Sequence, residues 1–281
     1  MTTVKFTKMQ GLGNDFIIMD YTEYEKTEYS MAELAKKICD RNFGIGADGL
    51  IITNPETSDT DVAWFFYNSD GTVAQMCGNG IRCFAKYAFK NNLTAKKEFT
   101  VQTEAGVITP KINPDGTVTV NMNKPVLDTE KIPCKSEKSL GFYINTDDKT
   151  FEGNAVGMGN PHCVIFTEEN SKKCAKTYGK DIEIHPIFPQ KTNVEFVNIR
   201  SEHEIDLDVW ERGCGITLAC GTGACAATVA GILTDNLKSP VKVNLPGGSL
   251  HIEWNGSKEK TDEAVFMTGP AEFVFTGEIE L

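Results

Sequence analysis

The chain repeats itself. Cys77-Gly78-Asn79-Gly80 recurs as Cys220-Gly221-Thr222-Gly223 at an offset of 143 (220 − 77), about half of the 281 residues. The preceding stretches "YNSDGTVAQMC" and "WERGCGITLAC" align at the same offset, pairing Tyr67 with Trp210 and Asn68 with Glu211. Near the start of each half, "GLGNDFIIMD" from Gly11 matches "GMGNPHCVIF" from Gly157, which pairs Asn14 with Asn160 at an offset of 146 (160 − 14). A fixed offset with order preserved marks a duplicated unit, and two copies make a pair of similar domains rather than a solenoid, which needs at least about three. The length, above the roughly 100–200 residues of one domain, agrees.

Within the halves, helix and strand signals interleave. "SMAELAKKICDRNFGIG" opens on a capping box, Ser30 with Glu33, and Gly44 reads as its stop. Residues 116–122, 204–211, 241–245 and 249–254 alternate apolar with polar side chains, as half-buried strands do. "GIRCFAKYAFKNN" from Gly80 and "GACAATVAGILTDN" from Gly223 are apolar on more than one face, so each predicts a buried helix that sheets could wrap around. The fold class is α/β of the α+β type: two pseudo-symmetric domains, each of mixed sheets around a central buried helix. "NMNKPVLD", where alternation stops at a Pro, marks the change of domain, and "MTGPAEFVFTGEIEL" reads as a strand returning to the first. The expected domains are 1–123 with 267–281, and 124–266.

Each buried helix follows a Cys-Gly-x-Gly directly. The Gly-x-Gly entry lets backbone N–H groups approach a ligand, and a helix start leaves four N–H groups unpaired, a place for an anion. The same partial charge lowers the pKa of a thiol, so Cys77 and Cys220 are expected to have thiolate character, while Cys83 and Cys225, deeper in the helices, pack as small apolar groups. Inverting a carbon that bears one hydrogen takes a base on one face and an acid on the other, and a duplicated fold supplies that pair. A lone cysteine in such a place is more often structural; recurrence reverses the preference. Glu211 keeps the apolar parity of Ile205, Leu207 and Val209, so it points inward, where an unpaired carboxylate is costly and a substrate amine would relieve it.

Composition narrows the partner. With 28 Lys and Arg against 39 Asp and Glu the net charge is -11, which opposes binding to nucleic acid or anionic membranes and favours a small molecule. The N-terminal stretch has no leader pattern and no apolar run is long enough to span a bilayer, so a cytoplasmic location is expected. The nine cysteines include no Cys-x-x-Cys pair, and the four histidines, His162, His185, His203 and His251, lack zinc-ligand spacing, so no metal is expected.

"GLGNDF", "NSDG", "CGNGIRC", "GNPH", "ERG" and "ACGTGACA", in this order across the whole length, resemble the diaminopimelate epimerase family. The resemblance implies cofactor-independent interconversion of LL- and meso-diaminopimelate, in lysine and peptidoglycan-precursor synthesis, with Cys77 and Cys220 alternating as base and acid. It also implies that Asn14, Asn68, Asn160, Asn193, Glu211 and Arg212 bind the substrate's amino and carboxylate groups. By the same resemblance the backbone of Gly78, Asn79, Gly221 and Thr222 holds the reacting carboxylate, and His162 lines the reacting centre with Glu211. Some family members carry a substrate-contacting Gln after the Asp of "GIGxD", where this chain has Gly49. A homodimer is plausible by resemblance, although no stretch reads as an interface. Proline racemase and hydroxyproline epimerase share the thiol pair but typically place His where this chain has Asn79. A thiol hydrolase using one Cys with His162 leaves the second Cys-Gly-x-Gly unexplained, and a binding or redox protein in which Cys77 and Cys220 switch between thiols and disulfide predicts function without proton exchange at carbon.

Overall fold

The computed structural model describes residues 2–57 and 59–281. The described residues form five helices: α1 (Tyr21–Tyr24), α2 (Met31–Cys39), α3 (Gly78–Lys90), α4 (Ser171–Glu183) and α5 (Gly221–Leu233). The chain divides into two compact units, Met1–Val120 with Gly269–Leu281, and Asn121–Thr268.

In the first unit a seven-stranded sheet runs in the order Glu272–Glu280, Thr3–Gly11, Asn14–Met19, Gly49–Asn54, Val62–Asn68, Val101–Thr103, Gly106–Ile108. Most neighbours are antiparallel, but Asn14–Met19 lies parallel to Gly49–Asn54 and Val62–Asn68 parallel to Val101–Thr103. Each parallel step needs a crossover, and helices α2 and α3 supply them. The second unit repeats the scheme. Thr150–Gly157 pairs antiparallel with Pro161–Phe166, which runs parallel to Asn193–Ser201 after the α4 crossover. Glu204–Glu211 follows antiparallel, then Val241–Leu245 parallel after the α5 crossover. The duplication read from short motifs is therefore a duplication of strand register.

Ser30 caps α2 as expected: its Oγ accepts from the Glu33 N–H at 3.3 Å while Glu33 Oε2 accepts from the Ser30 N–H at 3.0 Å. The helix stops at Cys39 rather than Gly44, because Asp40 leaves the helical conformation and its carboxylate accepts from the N–H groups of Asn42 and Phe43. Gly44 is needed all the same, since a Cβ there would lie 2.4 Å from the Lys37 carbonyl oxygen. The strands at 204–211 and 241–245 match expectation; the one expected from 116 begins at Val118, because Gly116 and Thr117 close a turn on Asp115 and Asn113.

Helices α3 and α5 start two residues earlier than the apolar pattern predicts, at Gly78 and Gly221, so Cys77 and Cys220 are themselves the N-cap residues. Periodicity could not show this, because a Gly-Asn-Gly or Gly-Thr-Gly turn carries no apolar side chain to count. Helix α5 is buried on every side, with Ala224, Ala226, Ala227 and Ala230 fully inaccessible. Small side chains let strands approach a helix from all directions without leaving voids.

Candidate active site

In the first unit, Cys77 heads α3 with its Sγ 3.5 Å from the Gly80 N–H, where a capping oxygen would ordinarily sit. Its thiol also reaches Asn14 Oδ1 at 3.4 Å, and the same oxygen accepts from Asn79 Nδ2 at 3.3 Å. Asn14 opens the strand Asn14–Met19 and donates through Nδ2 to Asp48 Oδ2 at 2.5 Å. Asp48 is held in turn by the Asp15 N–H and by Arg41, and Asp15 is gripped by Arg41 and by Lys8, whose Nζ lies 2.6 Å from Asp15 Oδ2 and also donates to the Gly46 carbonyl. A chain of charges thus fixes the amide that touches the thiol.

Burial pushes the Asp15 carboxyl up, but the hydrogen bonds from Arg41 and Lys8 outweigh it and hold the group at about 2. Its folded value lies below the ordinary 3.8, so its contribution to stability is complete above that value and is lost as pH falls through 3.8 toward 2. Urea unfolding followed from about pH 5 to about pH 2.5 should show a shallower acid loss for Asp15→Asn than for the wild type, with Asp15→Asn the less stable at neutral pH.

Arg82, one turn into α3, is fully buried. It donates from Nη1 to the Gly78 carbonyl at 2.9 Å, from Nη2 to Asn79 Oδ1 at 2.9 Å, and from Nε to the Pro270 carbonyl at 3.1 Å. Gly78 and Asn79 are thereby pinned from behind. Nothing in the sequence pattern distinguished this arginine from a solvated one. Asn68 stands at the end of Val62–Asn68, exposed, with Nδ2 donating to Thr72 Oγ1 at 3.0 Å, directly opposite Gly49 in the ladder. A Cβ at Gly49 would meet Phe66 Cε2 at 2.7 Å and the Tyr67 carbonyl oxygen at 2.8 Å, so this chain has no room for a glutamine there.

In the second unit, Cys220 heads α5 with Thr222 Oγ1 3.5 Å from its sulfur. Gly221 is the first helical residue, and a Cβ on it would lie 3.0 Å from Met267 Sδ. His162 is wholly buried; its Nδ1 lies 2.7 Å from Glu195 Oε1 and its Nε2 2.8 Å from Asn160 Oδ1. One donor atom each from His162, Glu195 and Cys220 fall within 4.8 Å of one another. Glu195 was not singled out by sequence, since within "NVEFVN" it reads as one polar residue of a strand. Glu211 Oε1 accepts from Thr217 Oγ1 at 2.5 Å. Asn193 uses both ends of its amide on main chain, donating to the Pro161 carbonyl at 2.8 Å and accepting from the Arg212 N–H at 2.9 Å. Arg212 itself is exposed, with Nη1 3.3 Å from the Gln190 carbonyl. The turn that presents it is tied down by buried Glu183, which accepts from Trp210 Nε1 and from the Gly213 N–H.

One expectation is corrected here. Cys220 lacks the thiolate character a helix start suggests: burial first, then the carboxylates of Glu211 and Glu195, push its thiol well above the ordinary 9.0, and the bonds from Thr222 and Gly223 oppose this only in part. A helix start lowers a thiol's pKa when water or a cation shares the site; here two carboxylates do. Glu211 is raised as well, chiefly by burial. Cys83 is fully buried and raised to about 12 by desolvation, as a packing thiol should be. Cys83→Ala is accordingly expected to keep most of the turnover, measured as a steady-state rate on folded protein.

The chain shares its fold with solved structures of little sequence identity to it. It matches the fold of a phenazine biosynthesis protein of the PhzF family from Bacillus anthracis at a TM-score of 0.74 and 14% identity, covering 100% of both chains. A hydroxyproline epimerase from Agrobacterium vitis matches at 0.70 and 12% identity, with 100% of this chain and 94% of that one covered. The sequence profile of diaminopimelate epimerase matches residues 6–127 and 154–274. Diaminopimelate epimerase from Halothermothrix orenii is 50% identical over 285 residues, covering 98% of each chain, and that from Carboxydothermus hydrogenoformans is 47% identical over 277 residues, covering 98% and 99%. The chain belongs to the diaminopimelate epimerase family.

Proposed function

We propose that Cys77 and Cys220 are the acid–base pair with which this enzyme, an isomerase acting on a small amino acid, interconverts LL- and meso-diaminopimelate. The supporting observation is that each repeat, within the same parallel crossover, places a cysteine at the N-cap position of a buried helix. One thiolate removes the α-proton while the other thiol delivers a proton to the opposite face, and the roles exchange for the reverse reaction. The main-chain groups of Gly78, Asn79, Gly221 and Thr222, at positive helix ends, suit the α-carboxylate and the charge that develops on it as the proton leaves.

Glu211 suits the substrate's ammonium group, with His162 beside it, and Asn14, Asn68 and Asn160 suit the substrate's amino and carboxylate groups. An ammonium against Glu211 offsets the carboxylate that, after burial, does most to push the Cys220 thiol up. Arg212 suits a bidentate grip on the distal carboxylate, with Asn193 fixing its main chain. Nothing in this scheme calls for pyridoxal phosphate or a metal. A cytoplasmic location and a homodimer complete the proposal; no described helix is long and apolar enough to cross a membrane.

Incubating the protein with LL-diaminopimelate in heavy water under reducing conditions, without added cofactor, tests the reading. Deuterium should enter the α-position as the meso isomer forms. Neither event occurring would sink the assignment.

A further inference from the structure

The two repeats are not chemically equal behind their thiols. In the first unit, Phe16 pairs with Gly49 in the parallel ladder and Ile51 follows two residues on; in the second, His162 pairs with Asn193 and Glu195 follows two residues on. Phe16 and His162 are repeat partners at an offset of 146 (162 − 16), and Ile51 and Glu195 at 144 (195 − 51). Members of both pairs back the fourth residue of the Cys-Gly-x-Gly. A Cβ at Gly80 would lie 3.5 Å from Phe16 Cζ and 3.6 Å from Ile51 Cδ1, whereas one at Gly223 would lie 2.7 Å from Glu195 Oε1. An apolar pair therefore stands behind Cys77 and an ionisable pair behind Cys220. The fold does not require the ionisable one, because the sister unit is built without it.

The hydrogen bonds of that pair fix its proton content. Both ring nitrogens of His162 face oxygens, Glu195 Oε1 and Asn160 Oδ1, and an amide oxygen can only accept. Nε2 therefore carries hydrogen, and the 2.7 Å contact on Nδ1 needs a second proton, on the ring or on the carboxyl. Glu195 Oε2 is buried with no partner, a costly place for an uncompensated negative charge. We infer that His162 and Glu195 share one proton between Nδ1 and Oε1, and that Glu195 is a positioning residue keeping this proton-bearing pair against Cys220. The inference rests on Cys220 being one of the two acid–base thiols.

The consequence is local. Cys220, Glu211 and Cys163 are the other titratable groups whose charge the pair feels or modifies. With the shared proton in place, a thiolate on Cys220 faces a pair of zero net charge; without it, the thiolate faces a second buried carboxylate in addition to Glu211. Cys220 can serve as the base only while the pair keeps its proton.

Nitrogen-15 labelling of the four histidines tests this on the substrate-free enzyme. His162 should show hydrogen on Nε2 at neutral pH together with a far-downfield bridge proton on Nδ1; a bare Nε2 would overturn the proposal. In Glu195→Gln the bridge proton should vanish, kcat should fall about tenfold or more with KM little changed, and the pH–rate profile should shift. Wild-type turnover with an unchanged profile in Glu195→Gln would also overturn it. Replacing the pair by its sister, His162→Phe with Glu195→Ile, should leave the unfolding midpoint equal or higher while turnover collapses, which a merely structural role would not produce. An enzyme with the bridge proton but no epimerase activity would remove the assigned reaction and leave the shared proton standing.

Discussion

Cys77→Ala and Cys220→Ala each lose epimerization by about 10²–10⁴-fold, the size of a general acid–base contribution, and the double variant loses little more. The non-additivity follows from the chemistry: a carbon that has lost its proton to one group must receive another from the opposite face, so either deletion breaks the same step. Serine versions separate this from folding. A hydroxyl caps a helix at least as well as a thiol, so Cys77→Ser and Cys220→Ser should fold normally, but a hydroxyl ionises far less readily than a thiol and turnover should still collapse. Alanine at Cys83, one turn deeper in the same helix, is the internal control. Steady-state rates on variants with matched unfolding curves check all of these. An alanine variant at Cys77 or Cys220 that turned over within a few-fold of wild type would refute the pair.

Arg82→Ala carries the largest expected cost in stability. The guanidinium is inaccessible and makes hydrogen bonds to the Gly78 carbonyl, Asn79 Oδ1 and the Pro270 carbonyl. Truncation removes a buried charged donor from each of these acceptors and opens a cavity, which together cost about 3–5 kcal/mol. Activity should fall with stability, because Asn79 meets Asn14, and Asn14 meets the Cys77 sulfur. Arg82→Lys keeps the charge but not the fork that reaches three acceptors, and should recover only part of the loss. Urea unfolding gives the stability change, and assays at a temperature where the variant is folded give the activity change.

What could be read from sequence was what recurs. Two Cys-Gly-x-Gly segments half a chain apart announced the duplication and both thiols, and the capping box at Ser30 and the alternation at 204–211 and 241–245 located their elements closely. What could not be read depends on a neighbour distant in sequence. Arg82 looks like any helical arginine until Pro270 and Asn79 close over it. Asp48, Asp15, Lys8 and Arg41 look like scattered surface charges until they line up behind Asn14. Glu195 differs from an ordinary strand glutamate only because the missing side chain of Gly223 makes room for its carboxylate. The helix-start rule failed for Cys220 for a similar reason, since it counts the peptide dipoles but neither the burial of the sulfur nor the carboxylates that strand pairing brings alongside.

The last strand, Glu272–Glu280, is the edge partner of the first, Thr3–Gly11, and the Thr2 and Leu281 main chains exchange hydrogen bonds at 3.1 and 2.9 Å. During synthesis the whole second unit therefore leaves the ribosome before the first can be completed. The order of emergence is the reverse of the usual one, in which an N-terminal domain finishes before the next begins. Until the final residues arrive, Thr3–Gly11 is an open edge able to pair with any other nascent chain. A ribosome stalled before Glu272 would hold a protein with every residue of both thiol clusters already made and an incomplete sheet to support the first of them.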